Sequence, residues 1–193
     1  MMLNEVYNKV EKYVIETFSK NNDENGIKHL LRTAYWIKIL EPRADESLLI
    51  SAVAHDIERG FRDKSYNKIT NNSKGFMSDE HLTYHQNEGA RIMGEYLKEI
   101  NADKKLINRV KSLVSKHEIG GNKNQNLLKD ADSISFFENN VDHFIKKQIG
   151  NTSKEKVIDK FNWMFNRISS NRAKNIAKPF YEEAIRKVNN LKE

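Results

Sequence analysis

Apolar residues in this chain recur at the spacing of a helix and almost nowhere at the spacing of a strand. Val6, Val10, Val14 and Phe18 follow one another every four residues and lay one stripe along a helical face. A second helix is predicted from Asp23–Glu24 to Leu40, because Pro42 lacks a backbone amide and disfavours helical backbone just before it. Asp45 caps a third, which runs through Leu48, Leu49, Val53 and Ile57 to Gly60. Ser78 or Asp79 caps a fourth, with Leu82, His85, Gly89 and Ile92 on one side. A fifth spans about Ala102 to His117 and stops at Gly120–Gly121, and a sixth covers Leu127 to Lys147 and stops at Gly150. From Ser153 onward two more helices are expected, parted near Ser169–Asn171, with Pro179 kinking or starting the last. No β-branched run alternates convincingly and no Asn-Gly hairpin is visible. The expected fold class is all-α, a single-domain helical bundle of about seven or eight helices over residues 1–193, with the pair at 153–191 packing on the core.

Composition narrows the chemistry. The 193 residues carry 33 basic and 27 acidic side chains, a formal charge of +6. That mild excess suits anionic ligands, but so many acids among the bases argue against a nucleic-acid coat, so no nucleic acid is expected as partner. There is no cysteine, which excludes disulfides, a thiolate nucleophile and any Cys-ligated zinc or iron–sulfur site. No apolar run approaches the roughly 18 residues of a membrane helix. Met1 to Lys20 mixes Glu and Lys with apolar residues, unlike a signal peptide. A soluble, cytoplasmic protein with no membrane contact is the expectation. The stretch Phe61–Ser78 is polar and aperiodic and reads as a long loop, a kind of segment that is often functional.

Six histidines stand at 29, 55, 81, 85, 117 and 143. His55 and Asp56 are adjacent at the end of the apolar run Ala52-Val53-Ala54. Neighbours on a helix differ by about 100°, so both side chains can reach one ion beside the helix end. A carboxylate there is costly unless it is paired or metal-bound. The alternative is that Asp56 pairs with Arg59 and His55 is a core histidine. Asp130 and Asp132 lie about 200° apart on their helix, so they cannot both face one ion.

His29, then His55-Asp56, then Asp132, each on its own predicted helix, resembles the H…HD…D pattern of the HD-domain superfamily of metal-dependent phosphohydrolases. His85 with Gly89-Ala90 is similar to the His-x-x-x-Gly-Ala segment of members that hold two metals, and His117 to their next histidine. Leu127-Leu128-Lys129-Asp130-Ala131-Asp132 is similar to the closing Ala-Asp segment. The resemblance covers residues 24–138 and implies an HD-type helical bundle. It implies a first metal on His29, His55, Asp56 and Asp132. A second would sit on His85 and His117 with Asp56 as bridge, and Asp130 would hydrogen-bond a ligating imidazole. The cofactor would be one or two divalent ions among Mn, Fe, Co, Ni, Mg and Zn, supplying hydroxide to a phosphate ester or anhydride. The implied substrate is a nucleotide or other small phosphorylated metabolite.

Asp56, Arg59 and Glu58 are the candidate catalytic residues. Arg59 would contact phosphate or else be a solvated arginine near a helix end, and Glu58 would serve acid–base chemistry in a way the sequence does not assign. Lys116, Arg62 and Lys64 are further phosphate candidates. His81 is either a substrate contact or a surface histidine beside the loop, and His143 reads as surface or structural. The basic stretch Asn171–Phe180 resembles a closing helix whose basic residues come near the cleft, while Phe161, Trp163, Met164 and Phe165 are expected to pack the tail on the core. The same ligand set also permits a di-iron oxygenase or a non-catalytic nucleotide-sensing module.

Overall fold

The structure, a computed structural model, describes residues 5–62, 78–148 and 152–191. Among them are nine α-helices and no strand: α1 (Glu5–Ser19), α2 (Glu24–Leu40), α3 (Glu46–Ala54), α4 (Asp79–Glu99), α5 (Lys104–Val114), α6 (Lys123–Asn139), α7 (Val141–Gln148), α8 (Lys154–Asn166) and α9 (Asn171–Asn189). A 3₁₀ helix, Ile57–Phe61, follows α3. The all-α expectation holds. No helix among the described residues is long and apolar enough to cross a membrane. The body of the expected loop 61–78, Lys64 with it, and the expected stop at Gly150 lie outside the described residues.

Short polar side chains start most of these helices. Asp23, Asp45, Ser78, Asp103, Ser153 and Ser170 each accept a hydrogen bond from an amide in the first turn. Asn122 goes further and forms a capping box with Gln125, so α6 starts four residues before the expected Leu127. The expected sixth helix is in fact two, α6 and α7, joined at Asn140. The Asn140 amide still bonds back to the Phe136 carbonyl while its own carbonyl accepts from Phe144. This split raises the helix count above the seven or eight expected. Pro179 neither starts nor ends α9; it sits inside it, where its missing amide deletes one intrahelical bond.

Two apolar clusters form the interior. The first gathers Val14, Phe18, Leu30, Ile37, Leu48, Ile50, Met93, Leu97 and Val110 from α1 to α5, with Leu128 from α6. The second gathers Phe136, Phe137, Val141, Ile145, Phe161, Met164, Ala173 and Ala177 from α6 to α9. Phe161 and Met164 are buried there, and Trp163 and Phe165 pack against them, as expected of the tail. α6 serves both clusters, and eleven of its seventeen residues are buried. It therefore cannot be read as amphipathic, and its buried polar residues need partners.

α2 lies along α6 and polar contacts fix their register. Arg32 makes a two-pronged bond to Glu138 at 2.9 and 2.7 Å, and the Trp36 indole N–H donates to the same carboxylate. The Ser135 hydroxyl donates to the His29 carbonyl at 2.8 Å. Arg172 closes the far end by donating to the carbonyls of Ile39 and Leu40 at the end of α2. Phe161 is fully buried amid Phe136, Phe137 and Phe144. Phe161→Ala should destabilise the chain by about 3–5 kcal/mol, read as a lower urea midpoint.

Candidate metal centre

The site is made where helices stop. α3 ends at Ala54, and the chain turns into the 3₁₀ helix through His55 and Asp56. The last carbonyls of a helix have no amide to accept from. The ring nitrogen Nδ1 of His55 takes one of them, Ala52 O, at 2.9 Å. The same device recurs after α5, which ends at Val114 rather than at the expected His117. There Nδ1 of His117 takes the Val114 carbonyl at 2.8 Å. A third imidazole, His85 on α4, presents Nδ1 to the Glu58 carboxylate at 2.7 Å. A carbonyl can only accept, so His55 and His117 in their neutral forms carry the proton on Nδ1 and leave a lone pair on Nε2. His85 instead lies between two carboxylates and donates from both ring nitrogens while no cation is bound.

All three Nε2 atoms point at carboxylate oxygens. Nε2 of His85 is 2.8 Å and Nε2 of His117 is 3.7 Å from Asp56 Oδ1. Nε2 of His55 is 3.4 Å from Asp132 Oδ1 and 3.9 Å from Asp56 Oδ2. His29, from α2, brings its Nε2 to 3.1 Å from Asp132 Oδ1 and 4.0 Å from Asp56 Oδ2. Two groups result, His29–His55–Asp132 and Asp56–His85–His117, each with ligand atoms within 4.8 Å of one another. Asp56 turns one oxygen to each group. All six residues are buried, and Nε2 of His55 and of His117 have no hydrogen-bond partner. A bare ring nitrogen facing a carboxylate oxygen in a buried site is repelled unless a proton or a cation lies between them, and nitrogen and carboxylate donors suit a divalent cation. The structure thus brings together every residue expected to bind metal, and the two groups can hold an ion each.

The charges set the titration. Burial opposes ionisation of Asp56 and Asp132, yet Arg59 and His55 beside the first and Arg167 beside the second hold both well below the usual carboxylate range. Burial lowers His55, but Asp56 and Asp132 outweigh it and lift the ring to about 9. His117, where burial prevails, falls to about 4. Gly89 has a defined job. A Cβ there would stand 3.2 Å from the His55 carbonyl and 3.3 Å from Val114, so a hydrogen lets α4 bring His85 close to both helix ends.

Several side chains stand elsewhere than expected. Asp130 touches no imidazole; it accepts from the amides of Ser169 and Ser170 and fixes the start of α9. Glu58 is buried and bonded to His85 and Arg62, a pairing that fixes the orientation of the His85 ring. His81 is no surface histidine. It is buried, its ring stacks on His85 with planes 4° apart, and it lines the cleft. His143 is exposed, as expected, and also borders the cleft, whereas Lys116 does not. Arg59 pairs through Nε with Asp56 Oδ2 at 3.0 Å, and its side chain is 43% exposed toward the cleft it lines. Arg62 lines the cleft beside it. The basic residues of α9 do not reach the site; Arg172 is spent on α2.

Arg167, at the end of α8, takes their place. Almost buried, it bonds Asp132 Oδ2, Glu118 and the Ser133 hydroxyl and so ties the second apolar cluster to the metal groups. The residue pattern offers no signal for it; Glu118 at least adjoins a ligand histidine. The cleft over the centre encloses about 390 Å³, and Lys160 of α8 lines it with its ammonium 4.2 Å from the Trp163 ring centre.

A family model described as a domain of unknown function (DUF4202) matches residues 10–188, and the chain belongs to that family. Neither the curated proteins nor the solved structures contain a match to it. The likeness to HD-domain enzymes therefore rests on these six residues and their geometry.

Burial alone would raise the Glu58 carboxyl, but His85 and Arg62 lower it from 4.5 to about 2. Its ionised form therefore stabilises the fold fully above pH 4.5, and the contribution is lost as pH falls toward 2. Urea midpoints of metal-free protein should decline across that window, and more gently in Glu58→Gln.

Proposed function

We propose that this family member is a metal-dependent hydrolase of small phosphorylated molecules. The observation that carries the reading is the pair of buried nitrogen–carboxylate groups sharing Asp56, open to a cleft lined by arginines. A divalent cation bound there lowers the pKa of a coordinated water toward neutrality and neutralises phosphoryl charge. HD-domain phosphohydrolases, which the motif order resembles, use such centres.

The protein's own groups do the rest. Arg59 uses only Nε on Asp56, and its two terminal nitrogens make no hydrogen bond among the described residues. They form a planar fork that matches two phosphoryl oxygens. Pairing with Asp56 keeps that fork directed at the place where the substrate phosphate meets the centre. Lys160 adds a second cation to the same cleft. Glu58 keeps the His85 ring turned so that Nε2 faces Asp56, and Arg167 neutralises the outer oxygen of Asp132, leaving Oδ1 to His29 and His55.

The test is phosphate release by the purified chain from a panel of phosphorylated metabolites with Mn²⁺, Co²⁺, Ni²⁺, Fe²⁺ or Mg²⁺. Asp56→Ala should abolish release. Glu58→Gln, which only loosens a ligand ring, should cost about 10–100-fold. If wild type releases no more phosphate than Asp56→Ala under any of these ions, the proposal fails.

A further inference from the structure

α7 is a short helix with an inverted logic. Its apolar residues Val141 and Ile145 are buried in the second cluster and anchor it. Asn140, His143, Phe144, Lys147 and Gln148 line the cleft. Their spacing, i, i+3, i+4, i+7 and i+8, is that of a single helical face. This face is exposed at His143 and Lys147 and at the same time forms one wall of the open cleft over the metal groups. Asn140 immediately precedes the helix at its N-terminal end, and its side-chain oxygen is buried without a hydrogen-bond partner. A buried acceptor left unpaired is destabilising unless a ligand supplies a donor. His143 and Lys147 follow on the same face, one turn apart, and bring basic nitrogens to a wall remote in sequence from Arg59 and Lys160. Between them the apolar surfaces of Phe136, Phe144 and Met164 also line the cavity.

We propose that the α7 wall is a second anchoring site, and that the substrate is a hydroxylated organic bisphosphate. One phosphate goes to the metal groups and Arg59, a hydroxyl donates to Asn140, and the second phosphate is held by Lys147 and His143. The proposal rests on the hydrolase reading for its first phosphate only. Sugar bisphosphates and nucleoside bisphosphates share this chemistry, and the cavity of about 390 Å³ is of the size that takes a small ligand.

The experiment is calorimetric titration of the full chain, Mn²⁺-loaded and metal-free, with two matched pairs. One pair is a hexose monophosphate and its bisphosphate; the other is adenosine monophosphate and adenosine bisphosphate. In at least one pair the bisphosphate should bind about tenfold tighter, the worth of one charge-assisted contact, and the pair that shows it names the source. Lys147→Ala and His143→Ala should bring that ratio toward one. Lys146→Ala, an exposed neighbour outside the cleft lining, should keep it. A ratio near one in wild type for both pairs, or an equal fall in Lys146→Ala, overturns the proposal. The metal-free titration separates the two readings. A ratio that persists there supports the α7 anchor even if no phosphate is ever released, and its loss there counts against the anchor alone.

Discussion

Asp56 is a buried carboxylate with imidazole nitrogens facing both of its oxygens, and much of the fold is arranged to keep it so. Burying an ion costs several kcal/mol even after relaxation. Here the cost is multiplied, because Asp132, Glu58 and Glu118 are buried within the same few ångströms of structure. Each has a cation or a ring of its own: Arg59 for Asp56, Arg62 and His85 for Glu58, Arg167 for Glu118 and Asp132. Removing one partner leaves a buried charge uncompensated, which is worse than never having built the pair. The centre is therefore a network whose members stand or fall together.

Its geometry comes from a simple economy of the helix. A helix ends with carbonyls that have no amide to bond. His55 and His117 lie just past such ends and use those carbonyls to hold their own Nδ1 protons. Helix termination, tautomer selection and ligand orientation are thus one event at each place. The ligand positions are correspondingly rigid, because moving His55 would expose a carbonyl as well as displace a ring. Gly89 completes the arrangement by letting a third helix approach those same ends.

This explains what was legible in the residues and what was not. Helix caps and apolar stripes act locally, so Asp23, Asp45 and Ser78 mark their helices at the expected places. The candidate ligands were legible because order along the chain carries them: His29, the adjacent His55 and Asp56, His85, His117 and Asp132 follow the order that resembles the HD-domain pattern. Asp130 shows the limit. The offset of about 200° says that Asp130 and Asp132 cannot both face one ion, the resemblance favours Asp132, and only the fold reveals that Asp130 faces the start of α9. Arg167 was invisible for a related reason. It reaches Asp132 across 35 residues of sequence, from a helix whose own pattern is explained by apolar packing. His143 is exposed as its polar surroundings in the sequence suggested, but that its exposed face also borders the cleft comes only from the fold.

The balance of charge then says what the cleft wants. Asp56, Glu58, Glu118 and Asp132 are matched one for one by Arg59, Arg62, Arg167 and Lys160, so the centre is close to neutral once a bound metal has displaced the protons of its histidines. Each divalent ion added brings two uncompensated positive charges into a site walled by Phe136, Phe144 and Met164, where solvent screening is weak. Burial already lowers Lys160 to about 8, despite the favourable charge of Glu118 nearby. A loaded centre would push that ammonium further toward losing its proton unless an anion entered with the metal. A neutral or singly charged ligand would leave most of the excess in place, and a ligand with several negative charges would remove it. Metal and polyanion should accordingly bind with positive coupling, each lowering the electrostatic cost of the other.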